Sequence, residues 1–258
     1  MRLAVWPVLP ARALVRALGS AAEAVVSGVV EVEPYEARAA LDDGRADLAL
    51  VPTLDVLRAY EGLEVVPGVA LAGERSPRRR LVVGVPLDQI ETVAFDPRDA
   101  QEAILAQLVL REHYGVLPTF ALADPATPLA DVLETASAAL VDARDPVPDG
   151  AVVLDIGQEW TDLTLRPYPW GLLCARAGTL DEKAVARLQA AVRAAPPSDD
   201  LLVDGVAVYQ LTLDGYAADG LDQLGELLFA TGTLSEVPAL PFVAAGGAED
   251  ETGGAEAE

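Results

Sequence analysis

Residues 154–176, LDIGQEWTDLTLRPYPWGLLCAR, decide how the rest of this chain is arranged. Asp155 is placed to cap a helix, with Gln158 three residues on in capping-box register. Ile156, Trp160 and Leu163 then fall at i, i+4 and i+7 and form one apolar face. Arg166-Pro167 stops that helix, and Pro169 argues against a central strand before Trp170. Residues 170–175 have the length and composition of a buried strand. A capped helix, a stop and a buried strand in one short stretch predict the point where the chain returns from a second lobe to a first, across a ligand cleft.

Working outward, strands are expected at residues 3–8, 25–32 and 47–51, with helices at 11–18, 35–42 and 54–59. That alternation argues for βαβ units and a mainly parallel sheet covered on both faces. Strands at 65–72 and 80–85 flank a polar segment. A second alternation follows: strand 92–95, helix 99–114, strand 119–122, helix 129–136 and strand 138–141. It places a lobe boundary near Asp88. A helix over 181–195 ends at Pro196-Pro197, and helical segments are expected around 203–211 and 217–230. From residue 244 onward, glycine, alanine and acids dominate, the composition of a disordered tail. The expected fold is therefore α/β and two-lobed. Residues 1–88 with 175–243 form the first lobe, residues 89–174 an inserted second lobe, and residues 244–258 an acidic tail.

The composition narrows the function. Of 258 residues 52% are hydrophobic, enough for a sizeable core, yet no window reaches the apolar length of a membrane span. A formal charge of −23 repels phosphate backbones and anionic lipid, which excludes nucleic acid and membrane as partners. Cys174 is the only cysteine, so neither an intrachain disulfide nor a cysteine metal site can form, and its apolar neighbours make it a buried thiol. Pro7 and Pro10 interrupt the N-terminal apolar run, which reads as a strand feeding a helix, and the protein is expected in the cytoplasm. The usual nucleotide, zinc-protease and serine-hydrolase motifs are missing. His113, the only histidine, sits near a helix C-terminus, a structural or surface position. No metal or cofactor is expected.

Candidate ligand groups come from position. Thr53, Asp96 and Asp142 each follow an apolar strand, where ligands collect in parallel sheets. Arg78-Arg79-Arg80 stands out in so acidic a chain. One reading is a solvated run balancing nearby acids. The other is an anion clamp at the lobe junction, with strand alternation turning Arg78 and Arg80 to the same side.

Several segments together resemble the menaquinone-biosynthesis chorismate dehydratases of the futalosine pathway (MqnA type). ALDDGRADLALVPTLDVLR, VPLDQIETVAFD, LVLREHYGVLP, the 154–176 stretch and ELLFATGTLSEVPALPF are each similar to a family segment, in family order. The resemblance implies a two-lobed scaffold of the periplasmic-binding-protein-like type (type II), with a ligand cleft between the lobes. It also implies dehydration of chorismate to 3-[(1-carboxyvinyl)oxy]benzoate without metal or cofactor. The departures fall where that chemistry belongs. Pro7 and Pro10 stand at two family asparagines, and Arg78 at a serine that helps hold the substrate. Arg98 to Glu102 replaces a hydroxyl-rich turn, putting Asp99 and Glu102 where an anion would sit. Thr53, Asp142, Trp160, Pro167 and Tyr168 keep the pattern, and Gln101 takes a turn position.

The resemblance thus implies a small carboxylate ligand, chorismate-like, held by Pro10, Thr53, Arg78, Arg80, Gln101, Asp142 and Tyr168. The arginines would neutralise its carboxylates, and no catalytic residue is assigned. Two functions stand: a lyase of menaquinone biosynthesis with a rewritten site, or a relative that has lost catalysis and binds a small carboxylate.

Overall fold

The computed structural model describes residues 1–19 and 25–243. The expected acidic tail lies outside those residues. Two sheets organise the chain. The first contains β1 (Arg2–Val5), β2 (Gly28–Glu31), β3 (Leu48–Pro52) and β4 (Leu63–Gly73). Its early helices are α1 (Leu9–Gly19), α2 (Ala37–Asp42) and α3 (Thr53–Arg58). β1 pairs in parallel with β2 and β3, as the βαβ spacing requires. Helix α1 buries Ala11, Leu14 and Leu18 on one face, which is why this alternating stretch winds as a helix.

The second sheet contains β5 (Arg79–Val83), β6 (Thr92–Phe95), β7 (Thr119–Leu122), β8 (Ala138–Asp142) and β9 (Val152–Leu154), in the order β7-β6-β8-β5-β9. Helices α4 (Ala100–Glu112) and α5 (Leu129–Leu133) connect its strands, and α6 (Ile156–Thr164) follows it. The chain then returns through β10 (Tyr168–Arg176), which pairs antiparallel with both β3 and β4. Helix α7 (Glu182–Arg193), the hairpin β11 (Leu202–Val203) and β12 (Val206–Ala207), the short edge strand β13 (Tyr209–Gln210) and α8 (Gly215–Ala230) finish the first unit. The last described segment returns to the first sheet, where Val65 bridges Phe242.

Four expectations change. β5 is a member of the second sheet, paired with β8 and β9, so the outward crossing lies at residues 74–78 and not near Asp88. The return correspondingly falls before Tyr168 rather than at residue 175. Pro169 does sit in a central strand, tolerated because the register with β4 shifts between Pro169 and Gly171, a bulge that needs no donor there. Residues 203–211 are extended, not helical. Asp204 and Gly205 adopt φ of 52° and 79°, the left-handed pair of a tight hairpin turn, which folds the valines on either side against each other.

The two crossings are fastened together. Asp155 caps α6 by accepting from the Gly157 and Gln158 amides, and the same carboxylate oxygen accepts the Ser76 amide at 2.8 Å. Gln158 turns to Asp162 instead of completing a capping box. Burial pushes the Asp155 carboxyl pKa up, against the pull of these three amides. A Cβ on Gly157 would stand 2.5 Å from the Arg75 carbonyl carbon and 2.6 Å from the Ser76 nitrogen. Only glycine lets the crossings lie this close. Gly157→Ala is expected to lower unfolding free energy by about 1–3 kcal/mol, the cost of forcing an extra methyl against backbone; chemical denaturation of both proteins checks it.

Candidate functional site

The seam between the two sheets is built where β3 ends and α4 begins. Thr53 opens α3 directly after β3 and is fully buried, with its Oγ1 lacking a hydrogen-bond partner. Gln101, in the first turn of α4, accepts the Leu54 amide at 3.0 Å and donates to the Trp170 carbonyl at 2.9 Å. Its amide is thereby spent on two buried backbone groups that would be costly to leave unpaired. Gln101 joins the units through these two bonds.

Next to it lies an ionic network. The Arg78 guanidinium meets three carboxylates: Nη2 reaches Asp99 at 2.6 Å, Nη1 reaches Glu33 at 3.1 Å and Nε reaches Glu102 at 3.3 Å. The Arg78, Asp99 and Glu102 side chains are 9%, 2% and 6% exposed, so this is an interior cluster rather than a solvated run. Glu33 follows β2 of the first sheet, whereas Asp99 and Glu102 start α4 of the second, so Arg78 ties one sheet to the other. Arg79 Nε approaches the far oxygen of Asp99 at 2.8 Å, and its Nη1 lies 3.4 Å from Asp142. Burial works against the Arg79 charge, yet Asp99 beside it carries its pKa up overall.

Each of the three Arg78 nitrogens thus faces a carboxylate of the chain, two of them buried and that of Glu33 47% exposed, and Arg80 does not share its side. β5 begins only at Arg79, so strand alternation does not extend back to Arg78. Arg79 joins Arg78 on Asp99, while Arg80 donates to the Asp145 carbonyl. Asp99 and Glu102 had been recognised in the sequence only as groups opposing an anion; they are the partners of Arg78. The partnership spans 21 and 24 residues and carries no local signal.

Tyr168 is buried, edge-on to Trp160 at 5.4 Å and 4.5 Å from Trp170. Burial pushes its phenol pKa up, reinforced by nearby Glu102 and Asp55, so it stays a neutral hydroxyl. Asp142 is held by Arg144, whose amide and guanidinium both donate to it, and its pKa falls to about 2. It lines a 140 Å³ pocket with Arg79, Asp96 and Asp99, outside the carboxyl ends of parallel β6, β7 and β8. That is the place the strand-end rule names, but it is well below the roughly 300 Å³ at which small-molecule sites begin. Pro10 is buried in the first turn of α1, where a missing amide is tolerated, and supplies no donor. Thus Thr53, Arg78, Gln101 and Tyr168 lie at the seam, Asp142 connects to it through Arg79, Arg80 bonds the Asp145 carbonyl and Pro10 packs within α1.

Among the described residues no group of three or more histidine, cysteine or carboxylate side chains is arranged to hold a metal ion, and no helix is long and apolar enough to cross a membrane. Cys174 is buried, with its thiol pKa pushed up by burial.

The sequence model for menaquinone biosynthesis matches residues 1–201. The chain belongs to that family. No curated protein matches it in sequence. Among solved structures, the periplasmic aliphatic sulphonate binding protein SsuA of Escherichia coli is similar at a TM-score of 0.60 and 15% identity, over 92% of this chain and 94% of that one. An ABC transporter protein of Parabacteroides distasonis gives 0.59 and 14% over 95% and 97%. A protein of Archaeoglobus fulgidus gives 0.56 and 14% over 90% and 98%. At such identities these likenesses bear on fold alone, and the fold is the two-lobed type II periplasmic-binding-protein-like one that the family resemblance implied.

Two predictions follow from the buried groups. Thr53→Val removes a buried hydroxyl that has no partner, and is expected to raise unfolding free energy by about 1 kcal/mol; a lower denaturation midpoint would show that the hydroxyl is satisfied. Burial holds the Glu102 carboxyl above its ordinary 4.5, with Arg78 opposing. The folded state then binds more protons than the unfolded state above pH 4.5, so this group's contribution to stability falls as pH rises through its raised pKa. Glu102→Gln is expected to gain stability relative to the wild type across that rise, as read from paired urea titrations over a pH series; parallel curves would refute it.

Proposed function

We propose that this protein serves menaquinone biosynthesis as a non-catalytic, ligand-binding relative of the chorismate dehydratases, taking a small carboxylate compound between its lobes. The observation that carries this reading is the pairing of Arg78 with carboxylates of the chain itself, Glu33, Asp99 and Glu102. Chorismate brings two carboxylates and must lose water while charge develops on it. Catalysis of that kind needs cations free to meet the carboxylates and donors aimed at the developing charge. Prolines at positions 7 and 10 offer no side-chain donor, and the only histidine, His113, lies at the C-terminal end of α4, far along that helix from Asp99. The lobes of this reading are residues 1–73 with 168–243, and 79–154. Its pathway, the futalosine route, is taken from the family resemblance.

Family membership favours a second reading, in which the protein is the dehydratase itself and its site works by other groups. One assay separates them. Purified protein incubated with chorismate is expected to yield no 3-[(1-carboxyvinyl)oxy]benzoate by liquid chromatography, under conditions where an authentic dehydratase converts it. Enzyme-dependent appearance of that product would establish the lyase and overturn the non-catalytic reading.

A further inference from the structure

Apart from the seam, the first unit holds a cavity of about 580 Å³, bounded by the end of α3, the middle of β4, α8 and the closing segment 237–242. Pro67-Gly68 opens it from the sheet side. Leu172 of β10 pairs with Ala70, yet Cys174 pairs with Val65, so β4 carries extra residues between these pairs. Proline offers no amide to the ladder and Gly68 adopts a φ of 74°, which lets the surplus bulge from the sheet. On the helix side, a Cβ on Gly225 would stand 3.4 Å from Val237 Cγ1, so the closing segment lies close to α8 there. The same segment is tied back to β4, where Val65 donates its amide to the Pro241 carbonyl and accepts from the Val243 amide. Between these two attachments the hollow opens beside Ala218 and Leu221.

The lining is apolar apart from one group. Val237 and Phe242 stay half-exposed at its edge, apolar surface that folding leaves uncovered. Small-molecule sites combine a volume of this size with apolar walls and a few polar groups that fix orientation. Here the one charged group among the described lining residues is Asp222, and no arginine or lysine is among them. The Asp222 carboxylate has no hydrogen bond or ion pair among the described residues. Asp219 and Glu226 stand within a turn of it on α8, so this stretch of helix gathers like charge.

We propose that this cavity binds a small hydrophobic cation, an amine whose apolar body fills the hollow and whose ammonium pairs with Asp222. An anion would meet Asp222 with nothing in the lining to offset it, whereas an ammonium gains a charge-assisted bond. Other occupants fit worse. Residues 244–258 consist of alanine, glycine, threonine and acids, with no large apolar side chain to fill the hollow and the wrong charge for Asp222. A second copy of a chain of formal charge −23 is repelled as a whole. Every described lining residue belongs to the first unit, so the site stands independently of the ligand proposed for the seam.

The test compares three compounds of one shape: naphthalen-1-ylmethylamine, naphthalen-1-ylmethanol and 1-naphthoate. Each is titrated into full-length protein at low ionic strength, and heteronuclear NMR reads both affinity and place. The wild type is expected to bind the amine about threefold or more tightly than the alcohol, the size of an exposed ion pair, and the naphthoate least. The shifts are expected to centre on Leu221, Val237 and Leu240. Asp222→Asn removes the advantage of the amine and leaves the alcohol within about twofold of its wild-type affinity. Ala218→Phe fills the hollow and weakens both. Glu182→Gln, on α7, keeps the advantage, which separates the site from general attraction by an acidic surface. Should Ala218→Phe not fold, the shift map and Asp222→Asn decide. Equal wild-type affinity for amine and alcohol, an advantage that survives Asp222→Asn, or shifts centred elsewhere overturn the proposal. So does the lack of saturable binding, as when a second copy or residues 244–258 cover the hollow.

Discussion

Everything at the junction of the two sheets depends on one buried guanidinium. Arg78 stands on the outward crossing and joins Glu33 of the first sheet to Asp99 and Glu102 of the second. Burying charges costs several kcal/mol per ion, and their mutual attraction seldom returns more than that, so such a cluster is a poor source of net stability. Its effect is positional. Taking Arg78 away would leave the Glu102 carboxylate buried with no other ion pair, which makes alternative arrangements of the seam expensive. Gln101 adds direction to the same junction, since its amide fits only where the Leu54 amide and the Trp170 carbonyl stand on opposite sides of it. A charged pin and an oriented amide together define how α4 sits against α3 and β10.

The apolar framework around this junction carries the stability. The aromatic group of Trp160, Tyr168 and Trp170 is almost wholly buried, and each such side chain contributes about 1.5–3 kcal/mol through burial alone. These three residues come from α6 and β10, the two halves of the stretch that returns the chain to the first sheet. That stretch therefore does two things at once: it closes the topology and it fills the space behind the charged network. The structural likeness to the sulphonate-binding protein is a likeness of fold.

The framework was legible in the sequence for a physical reason. Strands β6 and β7 coincide with their expected bounds because short apolar runs between turn residues have few alternatives. Helix α6 was equally plain, since Asp155 supplies a local cap. Misreadings arose where a local rule met a nonlocal answer. Pro169 is compatible with a central strand only because a bulge in the pairing with β4 removes the need for its amide. The hairpin at Asp204-Gly205 is so short that its valines read locally as a helical run. The same holds for the site. Arg78 could be singled out as unusual, but its three partners lie 21, 24 and 45 residues away. Whether a cation is free or already neutralised is decided by folding, and no spacing within the chain encodes it.

The fastening of the two crossings has a mechanical consequence. Two independent strands joining a pair of bodies permit twisting and shear as well as bending. Here Asp155 holds the Ser76 amide, and Gly157 lies against the backbone of Arg75 and Ser76, so the strands behave as one short strut. A single strut reduces the relative motion of the bodies to rotation about it. The Gln101 bonds and the Glu33–Arg78 pair hold the same two bodies at a second place, away from the strut. The glycine at 157 is what lets the strut close.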